Sequence, residues 1–266
     1  MSTVGAMTET LAGEVRRRLV LALDFDDSVL AMRWALRLRR TFGVAKVGLE
    51  LWSAAGPGAV TELVGEGFDV FVDLKLADIP NTTYRAARVL GALGARYLTV
   101  HASAGAASLR AGVEGLAEGA ERANLPAPAV LGVTVLTSES EAPPELVAER
   151  ARLAAEAGCG GFVCAAKDLV AARPTAPSLL AVVPGIRLAG RSNDDQGRAA
   201  TPGAAVRAGA DLLVIGRAVT EAENPEAAAN EIVGEVLGAV GGGTGPEQAT
   251  VGSEQAEEAT TPPRTR

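Results

Sequence analysis

Eight short apolar runs recur along the chain, each followed by a stretch of helical length, and this alternation constrains the fold more than any other feature. The runs are Leu19 to Asp24, Val44 to Leu49, the stretch opening at Asp69, Arg96 to His101, Ala129 to Leu136, Gly161 to Cys164, Leu179 to Val183 and Asp211 to Ile215. Short, nearly continuous apolar strands suit a parallel sheet covered by helices on its faces. Helix signals fill the gaps. Asp27 or Ser28 can cap a helix in which Leu30, Trp34 and Leu38 recur every four residues, so Trp34 reads as core packing. Pro80, Pro144, Pro202 and Pro225 fall where a first helical turn tolerates proline. Eight such units in about 220 residues match a single-domain (β/α)8 barrel better than an open doubly wound sheet.

The barrel is expected over residues 19–237, after an N-terminal extension, 1–18. From Gly238 the composition shifts to Gly, Glu, Thr and Pro, which cannot bury enough apolar surface to order a chain. Residues 238–266 are therefore expected to be a disordered tail. Hydrophobic residues make up 48% and aromatics only 3%, so the core must be built from Ala, Val and Leu. A net charge of −7 argues against nucleic acid or an anionic membrane as partner, and leaves room for a local basic group to hold an anion. Cys159 and Cys164, with a single histidine in the chain, make neither a disulfide framework nor a good zinc site. They read as buried free thiols. No run approaches a membrane span and no leader stands out, so a cytoplasmic protein is expected.

In barrels of this kind the active site lies at the C-terminal ends of the strands. Those ends carry Asp24, Lys46, Asp73 with Lys75, His101, Thr137 with Ser138, Arg187, and Gly216 with Arg217. The opposite ends are ordinary. On the third strand Phe71, Asp73 and Lys75 share one face and Val70, Val72 and Leu74 the other. Charges at the end of an apolar strand cost desolvation energy unless paired or used, and an ion-pair network closing the barrel is as good a reading as chemistry from spacing alone. Asp73 and Asp78 flank Lys75 and favour its charged form, a proton donor rather than a neutral amine. After strands seven and eight, Gly185-Ile186-Arg187 and Gly216-Arg217 fall where barrels often hold a phosphate. The lone His101 reads as a hydrogen-bonded structural residue.

The stretch Asp73-Leu74-Lys75-Leu76-Ala77-Asp78-Ile79-Pro80-Asn81-Thr82 resembles the signature of the orotidine 5′-monophosphate decarboxylases. LALDF at 21–25, KVGLEL at 46–51, VTVLTS at 133–138, PGIR at 184–187, DDQGRAATP at 194–202 and VIGRAVTEAENP at 214–225 extend the resemblance in order along the chain. It implies decarboxylation of a nucleotide substrate to uridine 5′-monophosphate, without metal or organic cofactor. It also implies that Lys75 protonates the pyrimidine C6 as carbon dioxide leaves, that Asp73 lies against the departing carboxylate, and that Lys46 completes the charge chain. Asp24 would hold the ribose hydroxyls and Thr137 the pyrimidine. Arg187, Gln196, Gly216 and Arg217 would bind the phosphate, with Gln196 on a closing loop. Asp78 and Thr82 would reach into the partner's site of a homodimer. Two other readings stand beside this one: a sugar-phosphate decarboxylase or synthase on the same barrel, which would need magnesium, and a nucleotide-binding barrel without catalysis.

Overall fold

The computed structural model describes residues 13–136, 142–189 and 200–241. Eight parallel strands close into a barrel in sequence order, with β8 returning to pair with β1. They are β1 (Leu19–Ala22), β2 (Val44–Gly48), β3 (Asp69–Leu76), β4 (Ala95–His101), β5 (Ala129–Val133), β6 (Gly161–Val163), β7 (Leu180–Val183) and β8 (Leu212–Ile215). Side-chain alternation builds two apolar compartments. Val20, Ala22, Val44, Phe71, Tyr97, Leu131, Val133, Val163, Val182 and Val214 fill the barrel interior. Leu19, Leu21, Ala45, Val47, Val70, Val72, Leu98 and Val100 face outward into the helical layer.

That layer begins with α1 over residues 13–18, whose Arg16 carbonyl accepts from the Gly43 N–H at 2.8 Å at the entry to β2. The expected N-terminal extension thus ends in a helix packed on the barrel, with Val15 buried; residues 1–12 lie outside the described residues. Asp27 caps α2 (Ser28–Leu38), its Oδ1 accepting from Leu30 N–H at 2.8 Å. Trp34 packs against the core and stacks on Phe25. Two helices, α3 (Leu49–Ala55) and α4 (Pro57–Gly65), connect β2 to β3 where the sequence suggests one, because Gly56 at φ +61° breaks the run between them. The remaining helices are α5 (Pro80–Ala92), α6 (Ala106–Arg122), α7 (Pro144–Glu156), α8 (Leu169–Ala172), α9 (Pro202–Arg207), α10 (Arg217–Thr220) and α11 (Pro225–Gly241). Helix α11 runs to Gly241, past the expected boundary at Leu237, and buries Val236 near its end. Residues 242–266 lie outside the described residues.

Two departures from regularity bear on function. Strand β5 stops at Val133, short of Leu136. Strand β3 shifts register against β4 between Val72 and Leu76, and within this bulge Lys75 takes φ +51°, a left-handed conformation that lysine rarely adopts. Both cysteines are buried and unpaired. Among the described residues, no helix is long and apolar enough to cross a membrane.

Candidate active site

A chain of alternating charges crosses the mouth of the barrel from β1 to β3. Lys46 Nζ lies 2.8 Å from Asp24 Oδ1 and 3.8 Å from Asp73 Oδ2. Lys75 Nζ donates to both oxygens of Asp73, at 3.0 and 2.9 Å. The order is Asp24, Lys46, Asp73, Lys75, so each interior charge has an opposite charge on either side. Lys46 and Asp73 are the deeper members, with side chains 9% and 13% exposed; Lys75 is 34% exposed and faces the opening. A partly buried ion network of this kind adds little to stability compared with apolar packing of equal volume. Its value lies in fixing charges before a ligand arrives.

Local structure explains the placement. Lys46 reaches the mouth from the middle of β2, and the bare Cα of Gly48 leaves space for its ammonium: a Cβ at Gly48 would meet Lys46 Nζ and Asp24 Oδ1, each at 2.9 Å. The bulge in β3 keeps Asp73 and Lys75 on the same side, as alternation suggests, although Lys75 arrives there through a left-handed residue rather than a regular pleat. Thr99, fully buried on β4, secures this bulge. Its Oγ1 accepts from the Lys75 backbone N–H at 2.9 Å and donates to Asp73 Oδ1 at 2.9 Å.

Above the charges lies a cavity of about 350 Å³, within the size range of small-molecule sites. Ala22, Phe71, Val133, Val135, Leu136, Val163, Val182 and Val214 give it an apolar floor and wall. Asp24, Lys46, Asp73 and Lys75 contribute its charges at the ends of β1 to β3, and Gly185, Arg187, Gly216 and Arg217 line it after β7 and β8. Gly185, at φ +76°, turns the chain after β7; the Arg187 backbone N–H donates to the Ala200 carbonyl at 3.0 Å, and Ile186 bridges to Ala200. The residues bordering the segment 190–199 are thereby tied together beside Arg187. Gly216 precedes α10, and its Cα passes close to Ala22, where a Cβ would meet the Ala22 methyl at 3.3 Å.

Seven residues expected at the site therefore line one cavity: Asp24, Lys46, Asp73, Lys75, Arg187, Gly216 and Arg217. Thr137 and Gln196 lie outside the described residues. Asp78 and Thr82 are exposed and are not part of the cavity wall of their own chain. The expectation that both Asp73 and Asp78 flank Lys75 needs correction within one chain. Strand β3 ends at Leu76 and the following turn carries Asp78 to the rim, where its Oδ1 accepts from the Ile79 N–H at 2.7 Å. His101 is half-buried at the end of β4, engaged with a neighbour, and absent from the cavity lining. Sequence reading missed Thr99 and Gly48. Thr99 carried a usable signal: a hydroxyl at an inward position of β4, between Tyr97 and His101, beside the charged strand. Among the described residues, no group of three or more His, Cys, Asp or Glu side chains could hold a metal ion.

Comparison with known proteins agrees with this geometry. Residues 17–232 match the profile described as "Orotidine 5'-phosphate decarboxylase / HUMPS family". The orotidine 5′-phosphate decarboxylase of Anaeromyxobacter dehalogenans is 46% identical over 226 residues, covering 81% of this chain and 96% of the relative. That of Moorella thermoacetica is 41% identical over 249 residues, covering 89% and 98%. The crystal structure of orotidine 5′-phosphate decarboxylase from Lactobacillus acidophilus superposes with a TM-score of 0.70 at 31% identity, covering 83% of this chain and 99% of that one. A barrel, a charged mouth and a profile match spanning all eight strands lead to one assignment: the chain belongs to the orotidine 5′-phosphate decarboxylase / HUMPS family.

Proposed function

We propose that this protein decarboxylates orotidine 5′-monophosphate to uridine 5′-monophosphate, the closing step of pyrimidine nucleotide synthesis. The observation that carries the reading is the Asp24–Lys46–Asp73–Lys75 chain, assembled on three strands beside an apolar cavity that is also lined by two arginines. The names of the relatives favour this substrate over the sugar phosphates handled elsewhere on such barrels.

Loss of carbon dioxide from C6 leaves a carbanion with no adjacent carbonyl to delocalise it. The site must stabilise that charge electrostatically, and an ammonium held by two bonds to Asp73 does so without reorganising when the charge appears. In this reading Lys75 then delivers a proton to C6. Asp73 lies against the substrate carboxylate, and its own charge remains balanced by Lys46 on the other side. Asp24 binds the ribose hydroxyls with Lys46 as its partner. The apolar wall from Val133 to Val214 receives the pyrimidine, and Arg187, Gly216 and Arg217 take the phosphate; the family resemblance adds Thr137 to the first role and Gln196 to the second, both outside the described residues. Binding energy from the phosphate, remote from C6, is available to exclude water around the reacting carbon.

A homodimer with shared sites completes the reading. Asp78 and Thr82 stand exposed beside Ile79, itself 65% exposed, at the start of α5. In a pair of chains they would add a further carboxylate and a hydroxyl to each cavity, beside its own Asp24 and Asp73. Purified protein mixed with orotidine 5′-monophosphate in the presence of a chelator should convert the substrate's ultraviolet spectrum to that of uridine 5′-monophosphate, with absorbance falling on the long-wavelength side. An unchanged substrate spectrum with purified, folded protein defeats the proposal, and activity on a sugar phosphate that needs added magnesium supports the rival chemistry.

A further inference from the structure

We propose that Thr99 is a positioning residue for this reaction: one buried hydroxyl sets both the carboxylate of Asp73 and the backbone from which Lys75 projects. The inference rests on the decarboxylase reading and extends it to a residue that is not itself part of the cavity lining.

Three observations carry it. First, the Thr99 side chain is fully buried, and its hydroxyl uses its hydrogen on Asp73 Oδ1, at 2.9 Å, and a lone pair on the Lys75 N–H, also at 2.9 Å. Second, these contacts replace ladder bonds that the sheet has lost. The register between β3 and β4 breaks from Val72 to Leu76, so the Lys75 N–H, in the middle of the break, takes a side-chain acceptor. Third, Lys75 sits at φ +51°, a conformation that persists only where surrounding contacts hold it. The kink brings Nζ back over Asp73 to contact both its oxygens. The carboxylate oxygen that accepts from Thr99 is one of the two that receive the lysine, so the hydroxyl fixes both ends of the ion pair.

The hydrogen bonding also orders the roles. Thr99 orients Asp73; Asp73 orients the ammonium; the ammonium meets the reacting carbon. A β-branched residue at this point has few rotamers, which suits a hydroxyl that must serve two partners at once. Valine has the same shape and cannot make either bond. Serine can make both.

The test compares Thr99→Val and Thr99→Ser, reading kcat on orotidine 5′-monophosphate, the dissociation constant of uridine 5′-monophosphate, and the melting temperature. Thr99→Ser should keep kcat within about threefold of wild type. Thr99→Val should lower kcat by about 10- to 100-fold, the loss expected when a charged partner is deprived of a buried hydrogen bond. Affinity for the product should stay within about threefold, because the phosphate and ribose contacts are untouched. Thr99→Ala, read in the same way, serves if the valine variant does not fold. An active wild type whose hydroxyl-free variants keep kcat within threefold overturns this proposal alone. So does a serine variant as impaired as valine, or a product affinity that falls in step with kcat. A wild type that leaves orotidine 5′-monophosphate unchanged overturns the decarboxylase reading and this proposal together.

Discussion

Lys46 reaches Asp24, 2.8 Å away, through space that exists because residue 48 has no side chain. The two polar atoms that a Cβ at Gly48 would strike are the ends of flexible side chains, so an added methyl displaces the ion pair rather than the barrel. Gly48→Ala should therefore melt within a few degrees of wild type while kcat/KM falls by roughly one to two orders of magnitude, the scale for disturbing a charge-assisted contact. Side-by-side melting curves and steady-state kinetics check it. Equal losses of stability and activity would point to a packing role instead.

Lys75 and Arg217 should separate cleanly. Lys75 acts where charge develops, so Lys75→Ala should lower kcat by more than about a hundredfold while a product nucleotide still binds. Arg217 lines the cavity after β8 and is assigned to a phosphate that does not react. Arg217→Ala should raise KM by two to three orders of magnitude, about 3–4 kcal/mol of charge-assisted contact. Some loss of kcat can accompany this, since phosphate binding drives closure. A substrate lacking the phosphate should be handled equally poorly by wild type and by Arg217→Ala. A variant that hurts the phosphate-free substrate as severely as the phosphorylated one would remove the phosphate from this part of the cavity.

Much of this was legible because strand ends in a closed parallel barrel converge on one mouth. Asp24, Lys46, the Asp73–Lys75 pair, Arg187 and Arg217 are far apart in sequence, yet period-2 alternation and the barrel rule bring them together. What escaped was whatever depends on a break in regularity. The left-handed Lys75 and the β3–β4 register shift carry no glycine or proline to announce them. Without the bulge there is no reason to pair Thr99 with the Lys75 N–H. Asp78 misled for a related reason. It lies three residues from Lys75, as in a continuing turn around one charge, but the strand ends between them and the carboxylate turns to its own Ile79 N–H.

The pairing of α5 with α6 depends on three missing side chains. A Cβ on Gly115 would lie 2.2 Å from the Tyr84 carbonyl oxygen, one on Gly119 2.0 Å from that of Arg88, and one on Gly91 2.2 Å from that of Leu116. All three obstacles are backbone, which cannot rotate away. Gly115→Ala should destabilise by roughly 1–3 kcal/mol through overpacking, despite the better helix propensity of alanine. Gly58→Ala, in α4 with open space around it, is the control and should be neutral or slightly stabilising. Thermal melts of the two variants decide the matter; a harmless Gly115→Ala would mean the helices can slide apart without cost.

The buried thiols give a pH prediction. Burial pushes both Cys159 and Cys164 up from an ordinary 9.0 to about 12, with Asp168 adding to the effect at Cys164. The folded state thus keeps protons that the unfolded chain releases, and stability must fall as pH rises between these values. It is fully present below pH 9 and is lost progressively towards pH 12. Native protein at pH 8 should resist a disulfide-exchange reagent, and two thiols per chain should react once it is unfolded. Rapid labelling of the native state would contradict the burial.

Complementation tests the shared site. The Asp78 carbonyl accepts from the hydroxyls of Thr83, at 3.2 Å, and Ser108, at 2.8 Å, so the turn carrying this exposed carboxylate is anchored from two helices. A carboxylate held rigidly at the rim and unused by its own cavity suits action across an interface. Asp78→Ala and Lys75→Ala should each be nearly inactive, and each should keep its fold, since neither side chain supports the core. Mixing them allows hybrid dimers to form. In a hybrid, one site lacks its own Lys75 and also receives the altered residue 78; the other has Lys75 and receives an intact Asp78. Random exchange of equal amounts makes half the dimers hybrid, each with one native site of two, so roughly a quarter of wild-type activity should return. Exchange can be followed independently by tagging one variant and recovering mixed dimers. If mixed dimers form and activity stays at the level of the separate variants, Asp78 does not act across the interface, and its role must be sought within its own chain.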